Sequence, residues 1–347
     1  MTADDKPPVL ELELRSKIAG KAKPEGSLGR LEDLAVQIGL ATQSLSPNLG
    51  GARLVIFAGD HGITDELVSA YPSSMTREIV KLVLAGHAGA NICTSGIGAE
   101  IVVVDSGLLQ PVDAQPGLIS RRIGPGTKNA RREAAMSLTE YQAAFDAGEQ
   151  VVRDLIKQDV GIFALGEIGI GNSGSAALLA HAATDIPLVT LIGPGTGAPK
   201  KGLDYKRQVL TETYTRGFGG EIDCEPRRAF LQFAGFEMVM MAGAIQAISQ
   251  AGKIAIIDGF IATSVAAGLF ALAPKTKAAC VFAHTSGEPG HKALLAKLGV
   301  NPLFDLGLRL GEGTGAALAI PFVRAAEKML TQLADLPGHD HPDHLIP

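Results

Sequence analysis

RLVIFAGD, residues 53 to 60, is apolar from Leu54 to Ala58 without a single polar interruption. A strand with one wet face alternates polar and apolar residues. This one does not, so both its faces must be covered, as in a parallel sheet clad by helices. Val55, Ile56 and Phe57 suit a strand, and the run stops at a glycine beside Asp60. The same pattern recurs in EIVVVDSG (100 to 107), VGIFALGE (160 to 167), PLVTLIGPG (187 to 195), KIAIIDGF (253 to 260) and AACVFAHTSG (278 to 287), and all six are read as strands. Helical periodicity fills the gaps, in MTREIVKLVLAG (75 to 86), SLTEYQAAFDAGEQVVRDLI (137 to 156) and GFEMVMMAGAIQAISQAG (235 to 252), the last with a methionine run suited to core packing. Strand alternating with helix gives an α/β fold.

The chain ends read differently. Residues 8 to 48 hold two helix-like stretches around KPEGSLGRLEDL, and residues 315 to 334 hold another, so the two ends are expected to form a small helical subdomain. The expected division is 1–50 for the N-terminal helical segment, 51–305 for the α/β core, 306–335 for an active-site loop and returning helix, and 336–347 for a mobile tail with three histidines.

Composition narrows the function. The 347 residues are 46% hydrophobic and 19% charged, with 42 glycines, no tryptophan and a net charge of −5. Without a dense Lys/Arg block there is no electrostatic footprint for nucleic acid or an anionic membrane, which leaves a small-molecule ligand. Cys93, Cys224 and Cys280 lie far apart, lack CxxC spacing and are odd in number, as reduced core thiols would be. The acidic N-terminus is unlike a signal peptide, and no apolar run reaches the ~20 residues of a membrane span, so a cytoplasmic location is expected.

In an open parallel sheet, ligands bind beyond the carboxyl ends of the strands, where this chain places its polar loops. In GEIGIGNSGS (166 to 175), Gly169 and Gly171 permit a tight turn, and Asn172 and Ser173 are able to start a helix whose free N–H groups receive a phosphate. The same residues serve equally as a turn and cap with no ligand. GIGNSG (169 to 174) has GxGxxG spacing but is not read as a dinucleotide fingerprint, and nothing matches GxxxxGK[ST]. Asp60 and His61 fit a general acid/base pair or a strand-end turn. His284, Glu288 and His291 hint at a metal set, but Pro289 would disrupt a helix presenting all three, which favours hydrogen-bonding or turn roles. Glu312 stands between Gly311 and Gly313 in GEGTG (311 to 315), a carboxylate where open backbone would suit an anion.

Taken in chain order, KPEGSLGRLE (23 to 32), FAGDHGITDELVSAYP (57 to 72), VVVDSGL (102 to 108), GEIGIGN (166 to 172), GFEM (235 to 238), DGFIATS (258 to 264), HTSGEPGH (284 to 291) and DLGLRLGEGTGAALA (305 to 319) resemble the nicotinate-nucleotide:dimethylbenzimidazole phosphoribosyltransferase family. The resemblance implies a parallel six-stranded Rossmann-like sheet, a small helical domain from both termini, a homodimer and no cofactor. It also implies a reaction, in which nicotinate mononucleotide and 5,6-dimethylbenzimidazole give α-ribazole 5′-phosphate and nicotinate.

By that resemblance Glu312 is the base, Glu167 and Lys206 belong to the active site, and Asp258, Ser286, Gly169, Gly171, Asn172, Ser173, Gly311 and Gly313 form the nucleotide site. Ser69 and Tyr71 of SAYP line the benzimidazole pocket, with Tyr71 stacking on the ring. Lys206 has two candidate partners, a phosphate and Glu167. The chemistry agrees with one base: nicotinate leaves a pyridinium as a neutral ring nitrogen and needs no acid, whereas the incoming benzimidazole must shed its N–H proton. The sequence departs from the family pattern at Gly174, Pro194 and KPEG, with Lys200 and Lys201 near enough to compensate for the lost cation. Transfer to another azole, purine or phenolic base, and a non-catalytic nucleotide sensor, are the alternatives.

Overall fold

The computed structural model describes residues 9–195, 200–219 and 225–337. Its centre is a sheet of six strands, β1 (Gly51–Gly59), β2 (Glu100–Gly107), β3 (Leu118–Ser120), β4 (Val160–Ile168), β5 (Ile254–Ile257) and β6 (Cys280–Phe282). Every pairing is parallel and the order is β3-β2-β1-β4-β5-β6. The uninterrupted apolar runs follow from burial on both sides. Val55, Phe57, Phe163, Leu165 and Ile257 face one apolar cluster, and Leu54, Ile56, Ile162, Ala164 and Ile256 face the other.

The first cluster is roofed by helices Leu138–Ile156, Asn172–Thr184, Phe236–Gln250 and Phe260–Leu272. Helix Leu138–Ile156 starts at Ser137, whose Oγ accepts from Glu140 N while Glu140 Oε2 accepts from Ser137 N at 2.7 Å. It lies tightly on helix Phe236–Gln250: Gly148 abuts the Met240 carbonyl and Gly243 abuts the Phe145 carbonyl, leaving no room for a Cβ at either place. Met238, Met240 and Met241 fill the core behind them.

One expected strand is absent, and one strand was not expected. PLVTLIGPG forms a short helix, Leu188–Leu191, in place of a strand. Pro187 lacks the N–H a ladder needs and starts a helical turn, and Gly290 presses so closely on Leu191 that a Cβ there would stand 2.7 Å from its Cα. The sixth strand is Leu118–Ser120, three partly exposed edge residues aligned with Val103 to Asp105. So short a segment carries no periodicity to read.

Helices Val9–Ala19, Arg30–Thr42 and Thr314–Thr331 share the second apolar cluster. The chain ends are stitched together: Ala22 N donates to Ala334 O at 2.8 Å, Leu336 N to Gly20 O at 2.9 Å, and the buried Lys21 ammonium reaches Asp335 at 2.8 Å. The histidine-rich tail lies outside the described residues. Among those described, no helix is long and apolar enough to cross a membrane.

The strand order reverses between β1 and β4, since β1 leads to β2 on one side and has β4 on the other. At such a switch point the loops diverge and leave a crevice beyond the carboxyl ends.

Candidate active site

β4 delivers the first acid. Glu167 pairs in register with Phe57 and is the next-to-last residue of the strand, so it stands at the rim while staying buried. Gly171 turns the chain at φ 93°, and helix Asn172–Thr184 begins with an Asn172 side-chain amide donating to the Glu167 carboxyl. Burial, then the charges of Glu237 and Asp258, push Glu167 up to about 8 against that hydrogen bond. It therefore carries a proton at neutral pH.

Glu167→Gln tests that state. An unfolded chain ionises this carboxyl from about 4.5, and the folded protein only from about 8. Between those values the folded state holds a proton the unfolded state has lost, so this site makes wild-type stability fall as pH rises, levelling off beyond about pH 8. Glutamine keeps the acceptor for Asn172 without the titration. Urea unfolding should show variant and wild type closest near pH 4.5, with the variant gaining steadily up to about pH 8; a constant difference across that range rejects a protonated Glu167.

Helix Lys200–Phe218 delivers the cation. Lys206 is 2% exposed, and its Nζ donates to Ser173 Oγ at 3.0 Å and to Gly193 O at 3.1 Å. Burial lowers it to about 8, opposed by the charge of Glu288. The expected contact with Glu167 is not among the hydrogen bonds Lys206 makes. Lys206, Ser173, the start of helix Asn172–Thr184 and Arg309 all line a cavity of about 190 Å³, with Lys206 on Ser173 and both cations within electrostatic reach of Glu288. The side chains of Lys200 and Lys201 lie outside the described residues.

The loop before helix Thr314–Thr331 delivers the second acid. Gly311, Glu312 and Gly313 are consecutively left-handed, with φ of 83°, 59° and 76°. For glutamate that conformation costs about 1–2 kcal/mol. It is held because the loop crosses β4 at Gly166, where a methyl would stand 2.5 Å from Gly313 Cα, and because Glu312 Oε2 accepts from Ala90 N at 3.1 Å. Burial pushes the Glu312 carboxyl above the ordinary range, against the N–H groups of Ala90 and Gly89. Asp258, at the end of β5, accepts from Ala316 N at 2.8 Å and so anchors the helix that follows Glu312.

The cavity wall brings together Glu312, Glu167, Lys206, Ser69, Gly169, Gly171, Asn172, Ser173, Asp258, Ser286 and Gly311. Val68, Ile79, Phe260, Ile261 and Leu310 make part of it apolar. Gly313 instead packs behind the wall on Leu54 and Gly166. Tyr71 is 50% exposed and outside the wall, so the ring-stacking position expected for it is not formed in this structure.

His291 and His61 have structural roles, whereas His284 lines the cavity with its Nε2 3.7 Å from Asp258 Oδ1. His291 Nδ1 accepts from Ser286 N at 2.8 Å and its Nε2 meets Thr263 Oγ1 at 2.9 Å. Burial and His284 lower it to about 3, so it is neutral with both nitrogens engaged, as the hydrogen-bonding reading expected. His61 is buried, with Nε2 2.7 Å from Glu237 Oε1 and Nδ1 3.0 Å from Ser175 Oγ, and Asp60 Oδ2 accepts from Leu109 N at 2.8 Å. Neither lines the cavity of Glu312, which makes them part of the turn and its support. Sequence reasoning missed Arg309 and Glu237. Both lie inside quoted segments, Arg309 in DLGLRLGEGTGAALA and Glu237 in GFEM, and Glu237 left a further signal as the lone charge of its helix.

A family model described as a phosphoribosyltransferase matches residues 7–337. The nicotinate-nucleotide–dimethylbenzimidazole phosphoribosyltransferase of Dechloromonas aromatica (strain RCB) is 42% identical over 327 residues, spanning 94% of this chain and 93% of that protein. The enzyme of the same name from Cupriavidus necator is 41% identical over 330 residues, 95% of this chain and 94% of its own. The crystal structure of CobT from Thermus thermophilus superposes with a TM-score of 0.88 at 35% identity, covering 93% of this chain and 96% of that one.

Proposed function

We propose the reaction of this chain from the premise that it belongs to the nicotinate-nucleotide–dimethylbenzimidazole phosphoribosyltransferase family. The chain transfers the phosphoribosyl group of nicotinate mononucleotide to 5,6-dimethylbenzimidazole, giving α-ribazole 5′-phosphate and nicotinate. The observation that carries this reading is a single cavity with a cationic, N–H-rich end at Lys206 and Ser173, an apolar wall, and a carboxylate, Glu312, fixed at its edge.

The phosphate takes the Lys206 end, where an ammonium and open helix N–H groups suit an anion. A benzimidazole nitrogen attacks C1′ through its lone pair while the C1′–nicotinate bond breaks, its electrons neutralising the pyridinium. The other benzimidazole N–H gives its proton to Glu312, and attack from the face opposite nicotinate inverts C1′ from β to α. No cofactor takes part, because the pyridinium is already a good leaving group. Glu167, protonated, offers a donor to the ribosyl group instead of another negative charge.

The enzyme works as a homodimer in the cytoplasm. The exposed Leu82 and Ile92, on the adjacent helices Ser74–Leu84 and Gly89–Ser95, support an apolar face for a second copy. The reaction is tested by measuring nicotinate release from nicotinate mononucleotide with and without dimethylbenzimidazole, then with a panel of azoles, purines and phenols. Release that requires dimethylbenzimidazole supports the assignment. If that base ranks among the poorest acceptors, a different azole or phenol is the substrate; tight nucleotide binding without turnover identifies a sensor.

A further inference from the structure

Glu288 occupies an unexpected place for an acid, beside the cations that await a phosphate. It precedes helix Pro289–Leu298 and lines the cavity with Lys206 and Arg309. Its Oε2 is buried with no hydrogen-bond partner, and it rests against Gly193 so closely that a Cβ on that glycine would overlap it. The same Gly193 accepts a hydrogen bond from Lys206 through its carbonyl. The Gly193–Gly195 segment is thus gripped by the lysine and by the acid, and the Gly195 N–H also faces the Glu288 carboxylate.

Resting on the reaction proposed above, we infer that Glu288 is a positioning residue for phosphate capture, holding the buried Lys206 ammonium charged and directed at the Ser173 end of the cavity before substrate arrives. Burial alone drives an amine toward its neutral form. Among the described residues, helix Asn172–Thr184 presents the hydroxyl of Ser173 to Lys206 and the loop presents the Gly193 carbonyl, neither of which is charged. Among the described residues, Glu288 supplies the charge that opposes the neutral form; burial pushes its own carboxyl up, and Lys206, the Gly195 N–H and Arg309 work against that rise. Removing the acid leaves Lys206 protonated only at lower pH, so the cradle loses its cation within the physiological range.

The test is nicotinate mononucleotide binding by calorimetry for wild type, Glu288→Gln and Glu288→Asp between about pH 6 and 9, with NMR titration of isotope-labelled lysine side chains in the same proteins. Glu288→Gln should bind like wild type near pH 6 and about tenfold more weakly near pH 7.5 to 8, with kcat at saturation within about threefold. Glu288→Asp should restore most of the affinity, and the Lys206 resonance should titrate at lower pH in the glutamine variant. An equal loss at every pH, tighter binding in Glu288→Gln, or an unmoved Lys206 titration overturns the inference. Wild type that binds no nucleotide refutes the reaction, while the lysine titration still decides the role of Glu288.

Discussion

Glu312→Gln is expected to slow dimethylbenzimidazole-dependent nicotinate release by ~10²-fold or more while leaving nicotinate mononucleotide bound, as measured by steady-state turnover beside calorimetry. The amide keeps the shape and its acceptor oxygen still meets the Ala90 N–H, so the left-handed turn is retained. What is lost is the capacity to take a proton. The pH profile adds a second check. Burial raises the Glu312 carboxyl, so the ionised base appears at higher pH than an exposed glutamate would give. The acid limb of kcat/KM should accordingly fall above the ordinary carboxylate range in wild type and vanish from the residual rate of the variant. A variant as fast as wild type removes Glu312 from the chemistry.

Gly166→Ala carries the second large effect without touching a reactive group. A methyl at this point of β4 would overlap Gly313 N and stand 2.7 Å from the Glu312 carbonyl carbon. The strand is held in register on both sides, so the 311–313 loop is the part that yields. A displacement on the order of 1 Å at a reacting group lowers turnover by ~10²-fold. Turnover should therefore drop by that factor with the far-ultraviolet spectrum unchanged and nucleotide affinity within about threefold, since Lys206 and Ser173 belong to other elements. Wild-type activity in Gly166→Ala would mean that the position of Glu312 is far less constrained than the backbone contact implies.

Five of the six apolar runs are strands because the property they display, burial on both faces, belongs to central parallel strands. The 187–195 run shares the composition but not the setting, since Pro187 and the pressure of Gly290 turn it helical. Leu118–Ser120 pairs only because β2 is there to receive it. The site was legible where glycines flank an acid or start a helix, at Glu312 and at 166 to 175, because those residues report backbone geometry locally. Glu237 and His61 are 176 residues apart, and only the crossing of helix Phe236–Gln250 behind β1 brings them together. Tyr71, in the same segment as the cavity-lining Ser69, is half exposed, an orientation that residue type alone does not fix.

The stitching of residues 20–22 to 334–336 also orders events during synthesis. The cradle residues up to Ser286 emerge while the helix Thr314–Thr331 that anchors the base loop is still unmade. That helix docks on segments translated first, so a nascent chain acquires its nucleotide rim early and its proton acceptor last. Ribosome-bound intermediates should be catalytically silent for as long as that helix is held in the exit tunnel.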